Sequence, residues 1–179
     1  ALHAWMGQRP QDYAIGFTAE HAVENGEGGM AWYDPDEHTM HFHKFGKTKK
    51  AFPLRVVEVP GDAVDAIVTF SKYHKLWLGT QTRLLEPFKN YAAPVDGIRK
   101  YLKPALLDMG LPSVPSNTLR HLFETHCLYY ENMPSEAFEM MMNGIGHSVD
   151  TSSKVYSQKY RGLINHKLGY NLGVSDPLQ

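Results

Sequence analysis

Cysteine is nearly absent: Cys127 is the only one in 179 residues. That excludes an internal disulfide and fits a reducing, cytoplasmic setting. No apolar run comes near the roughly 20 residues that a membrane span requires, and there is no secretory leader pattern. A membrane is therefore not an expected partner. Excess charge is lacking too, since 18 Lys and Arg stand against 19 Asp and Glu for a formal net charge of −1. Attraction of the whole surface to a polyanion is thereby excluded, and any contact with nucleic acid has to be local. Repeats and low-complexity segments are missing, as is an initiator methionine. The chain opens Ala1-Leu2-His3-Ala4-Trp5, already in an apolar pattern, and reads as the C-terminal piece of a longer protein.

What is present is the balance of a folding chain: 42% hydrophobic and 21% charged residues. One domain over residues 1–179 is expected, with Gly169–Gln179 as a polar, loosely held tail. Local positive charge gathers in two places. Lys44, Lys47, Lys49, Lys50 and Arg55 form one group, and Lys154, Lys159, Arg161 and Lys167 the other. Solvated faces and phosphate contacts both fit such clusters.

The pattern along the chain predicts an α+β fold, mainly α-helical, with a small antiparallel β-hairpin or three-stranded sheet in the N-terminal third. A helix ending at Gly7 is followed by one starting at Pro10 and running to about Thr18. Met30–Tyr33, His38–Phe45 and Phe52–Val59 are β-prone, the last two joined by the lysine-rich tip Gly46-Lys47-Thr48-Lys49-Lys50. Helices follow. One comes after Pro60, capped by Asp62, with Val64, Ile67, Val68 and Tyr73 as its stripe. Another covers residues 95–109 (Val95, Ile98, Tyr101, Leu102, Leu106). A third is capped by Ser116 or Asn117, with the stripe Leu119, Leu122, Phe123, His126, Cys127 and Tyr130. A fourth opens at Pro134, carries Ala137, Phe138, Met141 and Met142, and is closed by Gly144 and Gly146. The last lies within residues 151–168.

Four separated features stand in a fixed order: Gly7-Gln8-Arg9-Pro10-Gln11-Asp12, then Lys47, then Leu119-Arg120-His121, then Gly146-His147-Ser148 with Tyr156 nine residues after His147. In this order they resemble the tyrosine recombinase (phage integrase) family, whose site joins an arginine, a hairpin lysine, a His-x-x-Arg pair, a His or Trp, and a nucleophilic tyrosine. Asn117-Thr118-Leu119-Arg120-His121-Leu122-Phe123-Glu124-Thr125-His126 is similar to the family's His-x-Leu-Arg-His-x-Phe-x-Thr-His block. Gly144-Ile145-Gly146-His147-Ser148 with Val155-Tyr156-Ser157 is similar to its Leu-Gly-His block and tyrosine helix. The resemblance runs from about Met6 to Tyr160.

It implies a catalytic domain that cleaves and rejoins DNA through a 3′-phosphotyrosine, with no metal, cofactor or ATP. Attack on a phosphodiester builds charge on the non-bridging oxygens, so fixed cationic donors are needed. Arg9 and Arg120 would clamp these oxygens with planar forks that stay protonated. His147 would donate to the same oxygens, with Tyr156 as nucleophile and Lys47 protonating the departing 5′ oxygen. Asp12 and His121 would support the site, and Lys44, Lys49, Lys50 and Lys154 would contact DNA. Asn117 stands where the family usually has histidine. An amide has no titratable nitrogen, so it can hydrogen-bond but not take the tyrosine proton. On the i, i+3 spacing it shares the face of Arg120.

Each residue has a structural reading as well. Arg9 fits a pair with Asp12, Arg120 an i, i+4 pair with Glu124, Lys47 a solvated tip, His147 a position just past a helix cap, Asn117 a helix cap, and Tyr156 core filling. His38, His41 and His43 lie close together, and His41 and His43 share a strand face. No cysteine or paired carboxylate gives them a recognised zinc spacing, so a metal is not expected.

The partners implied are double-stranded DNA, other copies of the chain in a synaptic complex, and accessory DNA-bending proteins of host or phage. The location implied is cytoplasmic, and nucleoid-associated when on DNA. Leu163, Ile164, Leu168, Tyr170 and Leu172 would dock on a neighbouring subunit or pack at home. A telomere resolvase, a type IB topoisomerase-like enzyme and a catalytically silent DNA-binding protein of the same fold are the alternatives. The family's additional N-terminal DNA-binding domain is not within these residues.

Overall fold

Alternation of inward and outward side chains builds the sheet. The computed structural model describes residues 6–78, 80–85, 93–110, 112–113, 115–129 and 134–152. Its strands are β1 (Val23–Glu24), β2 (Met30–Asp34), β3 (Thr39–His43) and β4 (Leu54–Glu58), an antiparallel meander in the order β1-β2-β3-β4. The sheet thus has one strand more than the sequence suggests, because Val23 and Glu24 pair with Ala31 and Met30. Two residues are too short a run to show alternation.

On β2 and β3, Ala31, Tyr33, Met40 and Phe42 point inward and are fully buried. Trp32 and His41 pair across the other face, with rings stacked at 4.8 Å. His38 is hydrogen-bonded to the Tyr33 hydroxyl at 2.9 Å. His41 and His43 do share a face.

The expected helix from Pro10 to about Thr18 is a single 3₁₀ turn, Pro10–Tyr13, followed by a second at Ala19–His21. Between them the backbone of Gly16 donates to Ala31 (3.1 Å) and accepts from Tyr33 (2.8 Å). Sheet pairing and burial of Ala14 and Ile15 override the local helical signal there.

The helices are α1 (Gly61–Leu78), α2 (Ala93–Asp108), α3 (Ser116–Tyr129), α4 (Ser135–Gly144) and the short α5 (Val149–Thr151). The molecule is α+β. In α1 the inward row is Ala63, Ile67 and Ser71, whereas Val68 and Tyr73 are exposed, as is Tyr101 in α2. An apolar side chain at roughly the right spacing need not face the core. Asp62 and Asn117 lie inside the first turns of α1 and α3 rather than capping them.

One apolar cluster joins the inner sheet face to Ala63 and Ile67 of α1. A second joins Cys127 to Phe138, Met142 and Ile145. No helix among the described residues is long and apolar enough to cross a membrane. Tyr130, most of the expected helix over residues 151–168, and the tail at 169–179 lie outside the described residues.

Candidate functional site

Two glycine turns place the key side chains. Gly146 has φ +73°, a conformation glycine adopts without steric cost. Its N–H bonds to the Asn143 carbonyl (2.9 Å), and the His147 N–H bonds to Met142 (2.8 Å). That is the Schellman arrangement, which ends α4 with His147 as the residue past the turn. Ser148 then caps α5, its hydroxyl accepting the Thr151 N–H at 3.2 Å. His147 is thus held between a helix stop and a helix start. Gly7 has φ +58°, and the ring of Phe123 occupies the space a Cβ would need. This close approach brings the segment of Arg9 onto α3.

Arg120 is buried and fully engaged on one side. Its Nη1 donates to Gly7 O (2.8 Å), its Nη2 to Ile145 O (2.7 Å), and its Nε pairs with Glu124 (3.2 Å). A guanidinium has five N–H groups, so one on each terminal nitrogen is left for a ligand. Burial, and after it the charge of Arg9, lowers Arg120 to about 10. It therefore stays protonated at neutral pH.

Arg9 is half-buried, donating to the Thr48 hydroxyl and to Gly146 O, each at 3.3 Å. It ties the turn that carries Lys47 to the turn that carries His147. Asp12 does not pair with the Arg9 guanidinium. Its carboxylate accepts the Arg9 backbone N–H (3.4 Å) and pairs with Arg55 (3.7 Å). Arg55 is correspondingly not a surface cation: it is buried over the Phe42 ring at 4.6 Å and donates to Gly144 O at 2.9 Å.

Glu124 is buried beneath the site. Its Oε1 lies 2.9 Å from His147 Nδ1 as well as 3.2 Å from Arg120 Nε, and its Oε2 accepts from Ser152 at 3.1 Å. Burial pushes its carboxyl up, but the His147 hydrogen bond and the charges of His147 and Arg120 outweigh that and hold it below its ordinary value. Burial pulls His147 below its ordinary value against the opposing bond to Glu124. Burial likewise lowers His121 to about 4. Both imidazoles are therefore mainly neutral at pH 7.

These groups open on one cavity of about 790 Å³. Arg9, Lys47, Asn117, Arg120, His121 and His147 all line it. Asp12 sits behind it. Tyr156 and Lys154 lie outside the described residues. Lys44 and Lys50 are exposed, and Lys49 pairs with Glu27.

Arg99 and Lys103 of α2 also line the cavity, though nothing in the motifs singles them out. Their signal is an i, i+4 pair of cations on the stretch that carries Val95 and Leu102. Glu124 has a signal too: a carboxylate between Phe123 and Cys127 in an apolar row.

No protein-family model matches this sequence, and no curated protein matches it.

Proposed function

We propose that the chain is the catalytic domain of a tyrosine recombinase that cleaves and rejoins DNA through a 3′-phosphotyrosine formed on Tyr156. One observation carries this: Arg9, Lys47, Arg120 and His147, drawn from four separate stretches of sequence, converge on a single cavity. A phosphodiester in that cavity meets two guanidinium groups already held in place by hydrogen bonds to the protein, so little reorganisation accompanies charge build-up. Tyr156 attacks phosphorus, the 5′ oxygen leaves, and Lys47 protonates it. The phosphotyrosine keeps the bond energy, so a hydroxyl reseals the strand without ATP.

Asn117 has no titratable nitrogen, so the tyrosine proton needs another acceptor. His121 lines the same cavity, but burial lowers it to about 4 and makes it a weak base, so in this reading water in the cavity takes the proton.

Nicked suicide duplexes with a randomised core test the proposal. An SDS-resistant protein–DNA adduct is expected from the natural chain and none from Tyr156→Phe. Equal adduct from both, or none from the natural chain, overturns it.

A further inference from the structure

A charged group with 1% exposure needs partners that justify its burial, and among the described residues Glu124 has three, of which Arg120 and His147 line the cavity. We propose that Glu124 is a positioning residue of this pocket. Its Oε1 anchors Arg120 and His147 together, fixes the neutral His147 ring with its proton on Nδ1, and supplies the charge that lets the ring take a second proton when a phosphate enters. This rests on the phosphate-site function above and extends it to how the site answers its ligand.

The geometry sets the sequence of events. Glu124 Oε1, 2.9 Å from His147 Nδ1, favours the neutral ring with its proton on that nitrogen, and Nε2 of such a ring accepts and cannot donate. A phosphate oxygen needs a donor there. Among the described residues, the charged groups that bear on the ring are Glu124 and Arg120 from α3 and Arg9 from the N-terminal turn, while His121, also on α3, acts on Glu124 and, when protonated, repels His147. The two arginines push a proton away from His147, and Glu124 draws it on. A phosphate adds a second negative charge and tips the ring to imidazolium, with Nδ1–H to Glu124 and Nε2–H to the ligand. Through Oε2 the same carboxylate holds Ser152, four residues before Tyr156.

The test uses the full chain and inorganic phosphate, with ¹⁵N NMR of the histidine rings. The neutral His147 ring should carry its proton on Nδ1, and saturating phosphate should raise its pKa by about one unit, a tenfold gain in imidazolium. Glu124→Gln should abolish that rise while the protein stays folded. Glu124→Asp, which keeps the charge, should retain part of it.

A rise of equal size in Glu124→Gln overturns the role of Glu124 and leaves the phosphate site standing. No response in the natural chain overturns both. Should Glu124→Gln not fold, the natural chain alone decides: a neutral ring protonated on Nε2 contradicts the proposal, and one protonated on Nδ1 supports it.

Discussion

Arg120 donates from Nη1 to the Gly7 carbonyl at 2.8 Å, across 113 positions of sequence. With its bonds to Ile145 O and Glu124, one guanidinium joins the N-terminal turn, the end of α4 and α3. The arginine proposed to clamp phosphate is thus also a structural joint. A lysine ammonium is a point donor and cannot serve three acceptors set around a planar fork. Arg120→Lys is expected to lower stability by about 3 kcal/mol, since it weakens a buried ion pair and leaves buried carbonyls unserved. Urea unfolding measures this, and an unchanged midpoint contradicts it.

Gly146 packs where a side chain has no room. An added Cβ falls 2.7 Å from the Thr48 hydroxyl and 3.3 Å from Arg9 Nη1, and φ is +73°. Gly146→Ala should cost about 2 kcal/mol, from backbone strain of about 1–2 kcal/mol plus the contact with Thr48. It should also move Arg9, seen as a lower affinity for inorganic phosphate in a titration. A variant as stable and as phosphate-binding as the natural chain disproves this packing.

Acid should destabilise the fold before the carboxylates titrate. His121 is lowered to about 4, so between its unfolded value near 6.5 and about 4 the unfolded chain holds a proton that the folded chain lacks. Stability therefore rises with pH across that window and is lost as pH falls through it. The shift corresponds to about 3 kcal/mol at the acid end. His147, also lowered, acts in the same direction. Glu124, held below its ordinary value, loses its contribution at still lower pH. Unfolding free energy of the natural chain should drop between pH 7 and pH 4.5, and His121→Gln should drop less. Equal drops contradict the assignment.

Arg99 and Lys103 present two cations to the cavity from α2. On duplex DNA they would meet phosphates, each contact releasing about 0.9 of a counterion. Replacing both with alanine should reduce the slope of log affinity against log salt by about 2, with similar losses on every DNA sequence. Fluorescence anisotropy at several salt concentrations reads this. An unchanged slope removes them from the interface.

Much of the fold is legible locally. The strands β2 and β3 follow period-two alternation, whereas β4 buries Arg55 and exposes Leu54 and Val56, and Gly7, Gly110 and Gly146 all take positive φ where the sequence places helix ends. The stretch from Pro10 to Thr18 is not legible this way. Its structure is decided by pairing of Gly16 with β2, a contact no local pattern encodes.

The same holds within the site. Motif order points to Arg9, Lys47, Arg120 and His147, but which acid serves which base depends on long-range packing. Asp12 sits three residues from Arg9 yet pairs with Arg55, 43 positions away. Glu124 reads as an ordinary helix-surface partner of Arg120 until burial and His147 give it a second role.

Covalent attachment of DNA to Tyr156 is tested most directly by peptide mapping. The natural chain is incubated with the randomised nicked duplexes, the adduct is trimmed with nuclease, and the modified peptide is sequenced by mass spectrometry. The predicted result is a nucleotide joined through its 3′ phosphate to Tyr156. A nucleotide on any other residue, a 5′ linkage, or no adduct at all contradicts it.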